Sequence, residues 1–418
     1  MAGDGGVITF DAALAEVLRE AGRVHEPGTE DVGLMSALGR VLAEQVAADR
    51  DQPPFDRATR DGFAVRAADV SAEMEVVGQV RAGERWTGGA MTEKQAIEIM
   101  TGAPMPAGAD AVVMLEHVAA VAGRVRVEDG RVRVEDGRRV SVGDNVVPRG
   151  AEARAGDAVL ERRVVMGAAE IALAAACGEA SVKVFGRPRV AIVATGDELV
   201  ELEETPGDWQ IRNSNSYGLA AMVEAAGGEA VRLPIARDER EELRGALEAA
   251  RGCDLLLLSG GVSMGKYDLV EEVLAESGAE FFFTGVRMQP GKPVVFGWLP
   301  ARGDREGRYF FGLPGNPVST QVTFHCFVEP MLRALGGAAV EGPRFVQARL
   351  AEDVAAKAGL VRMLPARLTS DWMRPEVRLV GWKGSGDLTA NARANCYAVL
   401  PGDVVEFRAG DVVSVLLR

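Results

Sequence analysis

From Pro188 onward, short apolar runs alternate with segments of helical spacing, and this alternation limits the fold more than any other feature of the chain. Candidate strands cover 189–195, 229–235, 254–259 and 280–284, and candidate helices lie near 214–226, 240–250, 267–277 and 318–335. This alternation predicts a doubly wound, mostly parallel sheet with helices on both faces. Ligands bind such sheets outside the carboxyl ends of the strands, so the residues directly after each strand are the first candidates for a site.

The remaining segments predict other kinds of structure. A length of 418 residues exceeds what one hydrophobic core usually holds, which indicates about two to four domains. Phe10, Ala13, Leu14, Val17 and Leu18 follow the spacing of an amphipathic helix. A second helix is predicted over roughly 33–47, an irregular all-β module over 52–143, and a small β barrel or sandwich over 342–418.

A short repeat lies inside the predicted β module. Residues 124–130 and 131–137 both read RVRVEDG, which places an Asp-Gly turn signal between two alternating strand signals. The repeat predicts a surface hairpin made by local duplication rather than a functional element.

Composition narrows the function classes. The chain is 47% hydrophobic and 26% charged, which is typical of folded domains. Its net charge of -14 opposes binding to a phosphate backbone, so nucleic acid is not expected as a partner. Anions would need a focused site, made by helix N-termini, backbone amides and a few basic side chains.

Compartment and metal content follow from the cysteines and the apolar runs. Cys177, Cys253, Cys326 and Cys396 are widely spaced and have no histidine at zinc-ligand spacing, so no structural zinc site is expected. The N-terminus lacks a basic signal-peptide region, and the apolar stretches are short or interrupted. We therefore expect a cytoplasmic, reduced protein with no membrane association.

Acidic side chains follow several predicted strands. Glu198 comes just after the first strand, where it could hold a hydrated magnesium ion or belong to a plain polar turn. Asp238 follows the second strand and could also bind magnesium, but with Glu241 it has the spacing of a capping box. Asp268 lies in the first turn of a predicted helix, where a carboxylate also stabilises the helix N-terminus without any ligand.

Glycine- and proline-rich loops follow other strands. Gly260 and Gly261, just before Ser263, would let backbone N–H groups approach a phosphate closely. The loop GLPGNPVS at 312–319 is rigid, and its Asn-Pro pair is typical of an N-cap followed by the first helical residue. In PGKP at 290–293 one cation is held between prolines, although a solvated lysine in a plain turn is the alternative.

Other catalytic patterns are absent from the sequence. His25, His117 and His325 lie away from these loops, and no Ser-His-Asp order is visible in the sequence. The sequence also lacks a Walker phosphate loop and a G-x-G-x-x-G after the first strand of the sheet. Covalent hydrolase, ATPase and dehydrogenase chemistry are therefore disfavoured.

Taken together, seven motifs resemble the molybdopterin molybdenumtransferase (MoeA) family, to which the E domain of gephyrin also belongs. The motifs are RDGFAVR at 60–66, MTGAP at 100–104, TGDEL at 195–199, SGGVS at 259–263, PGKP at 290–293, GLPGNPVS at 312–319 and ARAN at 392–395. Each alone is weak, but all of them occur in family order over essentially the whole chain.

The resemblance implies four domains and a homodimer. These are a discontinuous, partly helical dimerisation domain at 8–47 and 144–184, a β-rich insertion at 48–143, a Rossmann-like pterin-binding domain at 185–336 and a C-terminal β barrel at 337–418. The active site would lie between the pterin-binding and barrel domains of one subunit and the insertion of the other. Asp61 and Thr101 would then act across the dimer interface.

The resemblance also implies an activity, the insertion of molybdate into adenylylated molybdopterin with release of AMP. The implied magnesium and adenylyl-phosphate ligands are Glu198, Asp238 and Asp268. The implied substrate-binding residues are Gly260, Gly261, Ser263, Pro314, Asn316, Pro317 and Ser319 for the pterin side, and Lys292, Arg362 and Ser385 for molybdate. One Lys, one Arg and one hydroxyl suit a tetrahedral dianion.

The sequence departs from the family pattern next to one of these residues. Gln289 precedes the Pro-Gly-Lys where the family pattern has Lys, which makes molybdate binding depend more heavily on Lys292.

Two alternative functions stay open at this stage. One is molybdopterin adenylyltransferase, which resembles only the Rossmann-like domain and which could also be a partner of this chain. The other is a non-catalytic molybdopterin carrier or scaffold, which would have no need of magnesium-binding carboxylates.

Overall fold

The computed structural model describes residues 6–121, 131–135, 137–261, 269–301 and 307–418. Three six-stranded sheets dominate these residues, and helices are a minority. The α-helices of the described residues are α1 (Phe10–Ala21), α2 (Ala168–Ala176), α3 (Ser214–Ala225), α4 (Arg240–Ala249), α5 (Leu269–Glu276), α6 (Pro317–Thr323), α7 (Glu329–Leu335) and α8 (Leu388–Arg393). A π-helical turn, Phe324–Val328, joins α6 to α7. Within the described ranges, no helix has both the length and the apolar character needed to cross a bilayer.

The central sheet is the doubly wound sheet predicted from the strand and helix alternation. Its strands, in spatial order, are Glu229–Arg232, Arg189–Ala194, Leu255–Ser259, Arg308–Leu313, Val295–Leu299 and Glu280–Phe283. The first four are parallel to one another, while Val295–Leu299 runs antiparallel to both of its neighbours. The prediction of a mostly parallel sheet is confirmed, but it lacked the strands at 295–299 and 308–313.

Helices cover both faces of the central sheet, and alternate side chains of its strands pack into two cores, one on each face. Val190 and Ile192 face the core that α1, α3, α6 and α7 complete, whereas Ala191 and Val193 face the core made with α4 and α5. Each fully buried aliphatic side chain contributes roughly 1.5–3 kcal/mol relative to exposure. This two-sided burial fixes the strand ends in space, and with them the loops that follow the strands.

Helix α1 belongs to the core of the central sheet. Its N-cap, Thr9, accepts a hydrogen bond from the backbone N–H of Ala12 at 3.3 Å, and Phe10 packs 5.7 Å from Phe327, centroid to centroid. The buried Ala13 and Val17 continue the stripe that the sequence predicted.

The predicted helix over 33–47 is wrong. Only Leu34–Ala37 forms a 3₁₀ turn, which ends where Leu38 adopts ψ 126°. Beyond it, the N–H groups of Leu42 and Ala43 donate to the carbonyls of Val164 and Lys183, both at 2.9 Å. Pairing with the distant segment Ala158–Phe185 replaces helical hydrogen bonds here, and local apolar spacing cannot reveal such a partner.

That pairing joins two parts of the chain that are far apart in sequence. Thr29–Gly33 pairs with Ser181–Phe185, and Val46–Ala47 pairs with Ala158–Leu160. Between them lies a small core to which α2 contributes Ala174.

The insertion is a β module, as expected. Its six-stranded sheet follows the order Ala111–Met114, Gly62–Val65, Gln95–Ile99, Met74–Val80, Arg131–Val134 and Val118–Val121. The second copy of the repeat supplies the strand Arg131–Val134, which pairs with Val118–Val121 on one side and with Met74–Glu75 on the other. The first copy lies in residues 124–130, outside the described residues, so the predicted hairpin between the copies stays a prediction.

The C-terminal region is a closed β barrel rather than a sandwich. The order Val361–Leu368, Glu376–Leu379, Phe345–Leu350, Val412–Leu417 and Cys396–Leu400 closes when the last strand pairs with the first. Met288–Gln289, from the chain after the central sheet's edge strand, adds to the barrel in parallel with Val361–Arg362.

Short two-stranded pairs complete the architecture. They are Val7–Ile8 with Gly285–Val286, Arg57–Ala58 with Val146–Val147, Leu199–Val200 with Ile211–Arg212, and Val354–Ala355 with Glu406–Phe407. All four cysteines are buried and free.

Candidate functional site

A cleft of about 660 Å³ opens at the carboxyl ends of the central strands. Three loops that directly follow strands line it: Thr195–Gly196, Gly260–Gly261 and Pro314–Pro317. The start of α3 and the barrel residues Gly386 and Leu388 complete the wall. This is the position where a doubly wound sheet binds its ligands.

Both positions of the Gly260–Gly261 turn require glycine. Their φ angles are +98° and +64°, a region that side chains disfavour. A Cβ at Gly260 would come within 2.4 Å of the Thr195 carbonyl oxygen, and one at Gly261 within 2.7 Å of the Thr195 hydroxyl. The sequence predicted glycines for close approach of a phosphate; the structure shows that the neighbouring strand end already requires them.

The loop before α6 is tied down by a side chain that sequence reasoning missed. The Thr320 hydroxyl lies 2.6 Å from the carbonyl oxygen of Pro314 and 3.0 Å from that of Asn316. Asn316 is the N-cap residue and Pro317 begins α6, as predicted, but the Asn316 side chain makes no capping hydrogen bond. Asn316 is exposed and lines the cleft, so its amide is available to a ligand.

A second missed residue, Asn215, joins three of the cleft's walls. Its Nδ2 donates to Ser259 Oγ at 2.9 Å and to the Gly315 carbonyl oxygen at 2.8 Å. It therefore fixes the start of α3 against two strand ends. The only local signal was the Asn-Ser-Asn run at the start of the helix, which resembles ordinary N-capping.

Two of the three predicted metal-binding carboxylates, those of Glu198 and Asp238, line the cleft. The Asp238 N–H donates to Asp197 Oδ1 at 3.3 Å, and burial, followed by the charges of Asp197 and Glu198, raises the pKa of Asp238. Because the N-cap of α4 is Glu239, Asp238 does not form the capping box that was its alternative role.

The third carboxylate, Asp268, lies outside the described residues, as does Ser263. Within the described part of the chain, no group of three His, Cys, Asp or Glu side chains is close enough to hold a metal ion.

The predicted molybdate contacts come from three separate segments, and none of the three side chains is among those that line the cleft. Lys292 is exposed and precedes Pro293, which lines the cleft. Arg362 is paired in register with Gln289, three residues before Lys292. The Ser385 carbonyl accepts a hydrogen bond from the Val318 N–H at 2.9 Å, which holds Ser385 next to the buried Ser319 at the start of α6.

Asp61 and Thr101 lie in the insertion and do not line the cleft. They are bonded to each other: Asp61 Oδ1 accepts from the Thr101 N–H at 2.7 Å and from its hydroxyl at 2.8 Å. These two hydrogen bonds, the backbone one first, lower the pKa of Asp61. An exposed, firmly ionised carboxylate is therefore presented on the insertion surface.

Three family models match consecutive parts of the chain. The MoeA N-terminal region (domain I and II) matches residues 8–178, a probable molybdopterin binding domain matches 191–334, and the MoeA C-terminal region (domain IV) matches 347–417. The chain is also 33% identical over 400 residues to the molybdopterin molybdenumtransferase of Staphylococcus aureus (strain COL), an alignment covering 92% of this chain and 90% of that protein. The chain belongs to the molybdopterin molybdenumtransferase family.

Other relatives agree with this membership. A molybdopterin molybdenumtransferase from a Nostoc species is 37% identical over 400 residues, with 93% of this chain and 88% of that protein covered. The crystal structure of the molybdopterin biosynthesis MoeA protein from Pyrococcus horikoshii OT3 superposes with a TM-score of 0.75 at 29% identity, and covers 99% of this chain and 100% of that one. The family predicted from seven motifs is thus confirmed, and so is its multidomain fold with a molybdopterin-binding domain and a C-terminal barrel.

Proposed function

We propose that this member of the molybdopterin molybdenumtransferase family inserts molybdate into adenylylated molybdopterin and releases AMP, and that the reaction depends on magnesium. One observation carries the proposal: three loops that follow central strands, the start of α3 and two barrel residues converge on one cleft. Relatives bearing the transferase name match more than nine-tenths of the chain.

Glu198, Asp238 and Asp268 are the proposed magnesium ligands. The chemistry of the two described carboxylates fits this role, because carboxylate oxygens are ligands that magnesium prefers. Burial, followed by repulsion from Asp197 and Glu198, raises the pKa of Asp238, and a bound dication would relieve that repulsion. When bound, magnesium would neutralise charge on the adenylyl phosphate. Water or a molybdate oxygen would attack the phosphoanhydride, and AMP would leave.

Lys292, Arg362 and Ser385 are the proposed molybdate contacts. Lys292 presents a compact cation and Arg362 a planar fork of N–H donors, which together suit the oxygens of a tetrahedral dianion. The Nε of Arg362 is buried without a hydrogen-bond partner among the described residues, as expected if its guanidinium is completed by a ligand. The dithiolene sulfurs of the pterin would displace molybdate oxygens, so the reaction needs no nucleophilic side chain.

Gly260, Gly261 and Ser263 would bind the substrate through the turn after the strand Leu255–Ser259. Pro314, Asn316, Pro317 and Ser319 would form the floor of the pterin pocket. The buried Thr320 hydroxyl holds this loop in one conformation, so ligand binding need not order it.

We also propose the four domains at 8–47 with 144–184, 48–143, 185–336 and 337–418, and a homodimer in which Asp61 and Thr101 of one subunit complete the cleft of the other. The absence of both residues from the cleft of their own subunit supports this arrangement. Molybdopterin adenylyltransferase is a proposed source of the adenylylated substrate.

The central experiment measures AMP release and cofactor formation with adenylylated molybdopterin, molybdate and magnesium. Glu198→Gln and Asp238→Asn keep the side-chain size but remove the charge, and Glu203→Gln is the matched control in an exposed loop. We expect molybdate-dependent AMP release that falls at least a hundredfold in the two cleft variants and is unchanged in the control. Tight pterin binding without turnover by the wild-type protein would instead support a carrier or scaffold.

Mixing two inactive variants tests the shared site. Combined Asp61→Ala and Glu198→Gln subunits would form mixed dimers that each contain one intact cleft. Recovery of up to about a quarter of wild-type activity after subunit exchange is expected for a symmetric dimer. No recovery, with exchange shown by mass spectrometry, would contradict the shared site.

A further inference from the structure

Arg212 is a cation on the cleft wall to which the family motifs assign no role. The pairing of Val200 with Arg212 holds its backbone, and its Nε donates to the Leu202 carbonyl oxygen at 3.2 Å. Arg212 is exposed, lines the cleft and forms no ion pair with any described residue. The guanidinium is thus anchored at one nitrogen while its other N–H groups stay available.

Helix α3 begins two residues after Arg212 and adds to the same positive potential. It is 12 residues long, and its first turn contains no acidic side chain. The N–H groups at a helix N-terminus carry partial positive charge, so a neighbouring arginine is unfavourable there unless an anion is present. Ser214 and Asn215, the first two residues of α3, line the cleft, so their backbone N–H groups are suitably placed for such an anion.

Two buried side chains next to this position each have a polar atom without a hydrogen-bond partner among the described residues. Asn213, the N-cap of α3, is 1% exposed; its Oδ1 accepts from the Ser216 N–H at 3.2 Å, but its Nδ2 has no acceptor among the described residues. The Thr195 hydroxyl, on the facing loop, is likewise buried without a described partner. Both residues line the cleft. An unpaired buried donor is costly, and an anionic oxygen entering between the two loops would remove that cost.

We propose that Arg212 and the N-terminus of α3, with Asn213 as its cap, form a subsite for the phosphate of the adenylyl group. The inference rests on the proposed function, whose substrate carries this phosphate. Arg212 is then a positioning residue that offsets the negative charges of Glu198 and Asp238 on the same cleft, so that an anionic ligand can bind beside them. Phosphate and molybdate are both tetrahedral oxyanions, but the molybdate contacts proposed above lie on other segments.

Calorimetric titration of the full-length protein with AMP, adenosine and molybdate tests the subsite. Arg212→Ala is expected to weaken AMP binding at least tenfold, and Arg212→Lys to restore part of the loss. Adenosine, which lacks the phosphate, and molybdate are expected to bind both variants as they bind wild type. Arg374→Ala is the matched control, because Arg374 is an exposed arginine in a barrel loop away from the cleft.

Titrations at several salt concentrations distinguish a specific contact between Arg212 and AMP from a general effect of the protein's charge. The AMP affinity lost in Arg212→Ala should shrink as salt is added, and Arg374→Ala should change nothing at any salt concentration. Unchanged AMP binding in an Arg212→Ala protein of wild-type melting temperature would overturn the proposal, as would equal losses for AMP and adenosine. If Arg212→Ala fails to fold, Arg212→Lys is compared with wild type in its place. The proposal would be overturned if Arg212→Lys bound AMP as tightly as wild type at both low and high salt.

Failure of this subsite and failure of the proposed function give different results. Turnover of adenylylated molybdopterin by the wild type, with AMP binding independent of Arg212, would retain the function and remove the subsite. AMP binding that depends on Arg212 without turnover would retain the subsite and remove the function. If both hold, Arg212→Ala should raise KM for the adenylylated substrate much more than it lowers kcat.

Discussion

Two cavities open at opposite ends of the central sheet, and the one at the amino ends, about 740 Å³, is slightly larger than the cleft of about 660 Å³. At the amino end, several buried polar side chains are hydrogen-bonded within the protein. Arg308 donates to the carbonyls of Leu247 and Ala250, both at 2.8 Å, and the Tyr309 hydroxyl donates to Glu20 Oε2 at 3.1 Å.

At the carboxyl end, some buried polar groups have no hydrogen-bond partner among the described residues. Asn213 Nδ2 and the Thr195 hydroxyl have no described partner, and the charges of Asp197 and Glu198 help to raise the pKa of Asp238. The contrast teaches that volume does not locate the site. Polar groups that the fold positions but does not pair identify the end that binds a ligand.

The largest expected effect comes from one added methyl group. Gly260→Ala places a Cβ 2.4 Å from the Thr195 carbonyl oxygen at φ +98°, and it should lower the free energy of unfolding by about 3 kcal/mol. At the amino-end cavity, the nearest atom to a Cβ on Gly252 is 3.6 Å away, so Gly252→Ala should change stability by less than about 0.5 kcal/mol. Urea denaturation measures both, and equal losses would contradict the contrast between the two ends.

Loss of the buried arginine at the amino end should affect stability and not activity. Arg308→Met leaves two carbonyls unsatisfied and should cost about 2 kcal/mol, while kcat per folded molecule is unchanged. Arg251→Met, which removes a largely solvated ion pair with Glu248 beside the same cavity, should cost at most about 0.5 kcal/mol. Thermal melting with activity assays on the folded fraction checks this, and a selective fall in kcat for Arg308→Met would show that the amino end takes part in function.

At the carboxyl end, a loss of hydrogen bonds should lower both stability and activity. Asn215→Ala removes the donors to Ser259 Oγ and to the Gly315 carbonyl, which should cost about 1 kcal/mol and raise KM by loosening two cleft walls. Ala221→Ser is the control on the same helix, because Ala221 is exposed and does not line the cleft. An unchanged KM in Asn215→Ala would mean that this residue does not position the cleft.

The smallest effect is a change in pH dependence. The pKa of Asp238 is raised above 3.8 in the folded protein, first by burial and then by Asp197 and Glu198, so its stabilising contribution is present in acid and lost as pH rises through that raised pKa. Asp238→Asn should therefore become more stable than wild type by a few tenths of a kcal/mol between acid and neutral pH, a small value because the side chain is exposed and screened. The free energy of unfolding is measured against pH for both proteins, and parallel curves would contradict a raised pKa of Asp238. Added magnesium should reduce the difference in stability between the two proteins.

Much of the central sheet was predictable because its signals are local. Alternating apolar runs and amphipathic helices define a doubly wound sheet, and the loops after its strands follow from the rule for carboxyl ends. The strand Val295–Leu299 was missed because it pairs antiparallel with its neighbours, and the predicted helix at 33–47 failed because Ala43 finds its hydrogen-bond acceptor at Lys183.

The residues of the candidate site also fall into two groups, those that the sequence identified and those that it did not. The sequence analysis already named Glu198, Asp238, Gly260, Gly261 and the Pro314–Pro317 loop, all of which line the cleft. Asn215, Thr320 and Arg212 were missed, because an asparagine, a threonine or an arginine has no distinctive spacing until the chain folds around it.

The sequence by itself determined the family, the sheet and the order of the loops, since residue type and short-range periodicity act over a few neighbours along the chain. Only the tertiary structure decided which polar groups pair and which stay free. That outcome depends on contacts between residues as distant as Glu20 and Tyr309, or Asn215 and Gly315. Hydrogen bonds act over about 3 Å in space, whatever the separation in sequence, and the unpaired groups that mark the cleft are therefore a property of the fold.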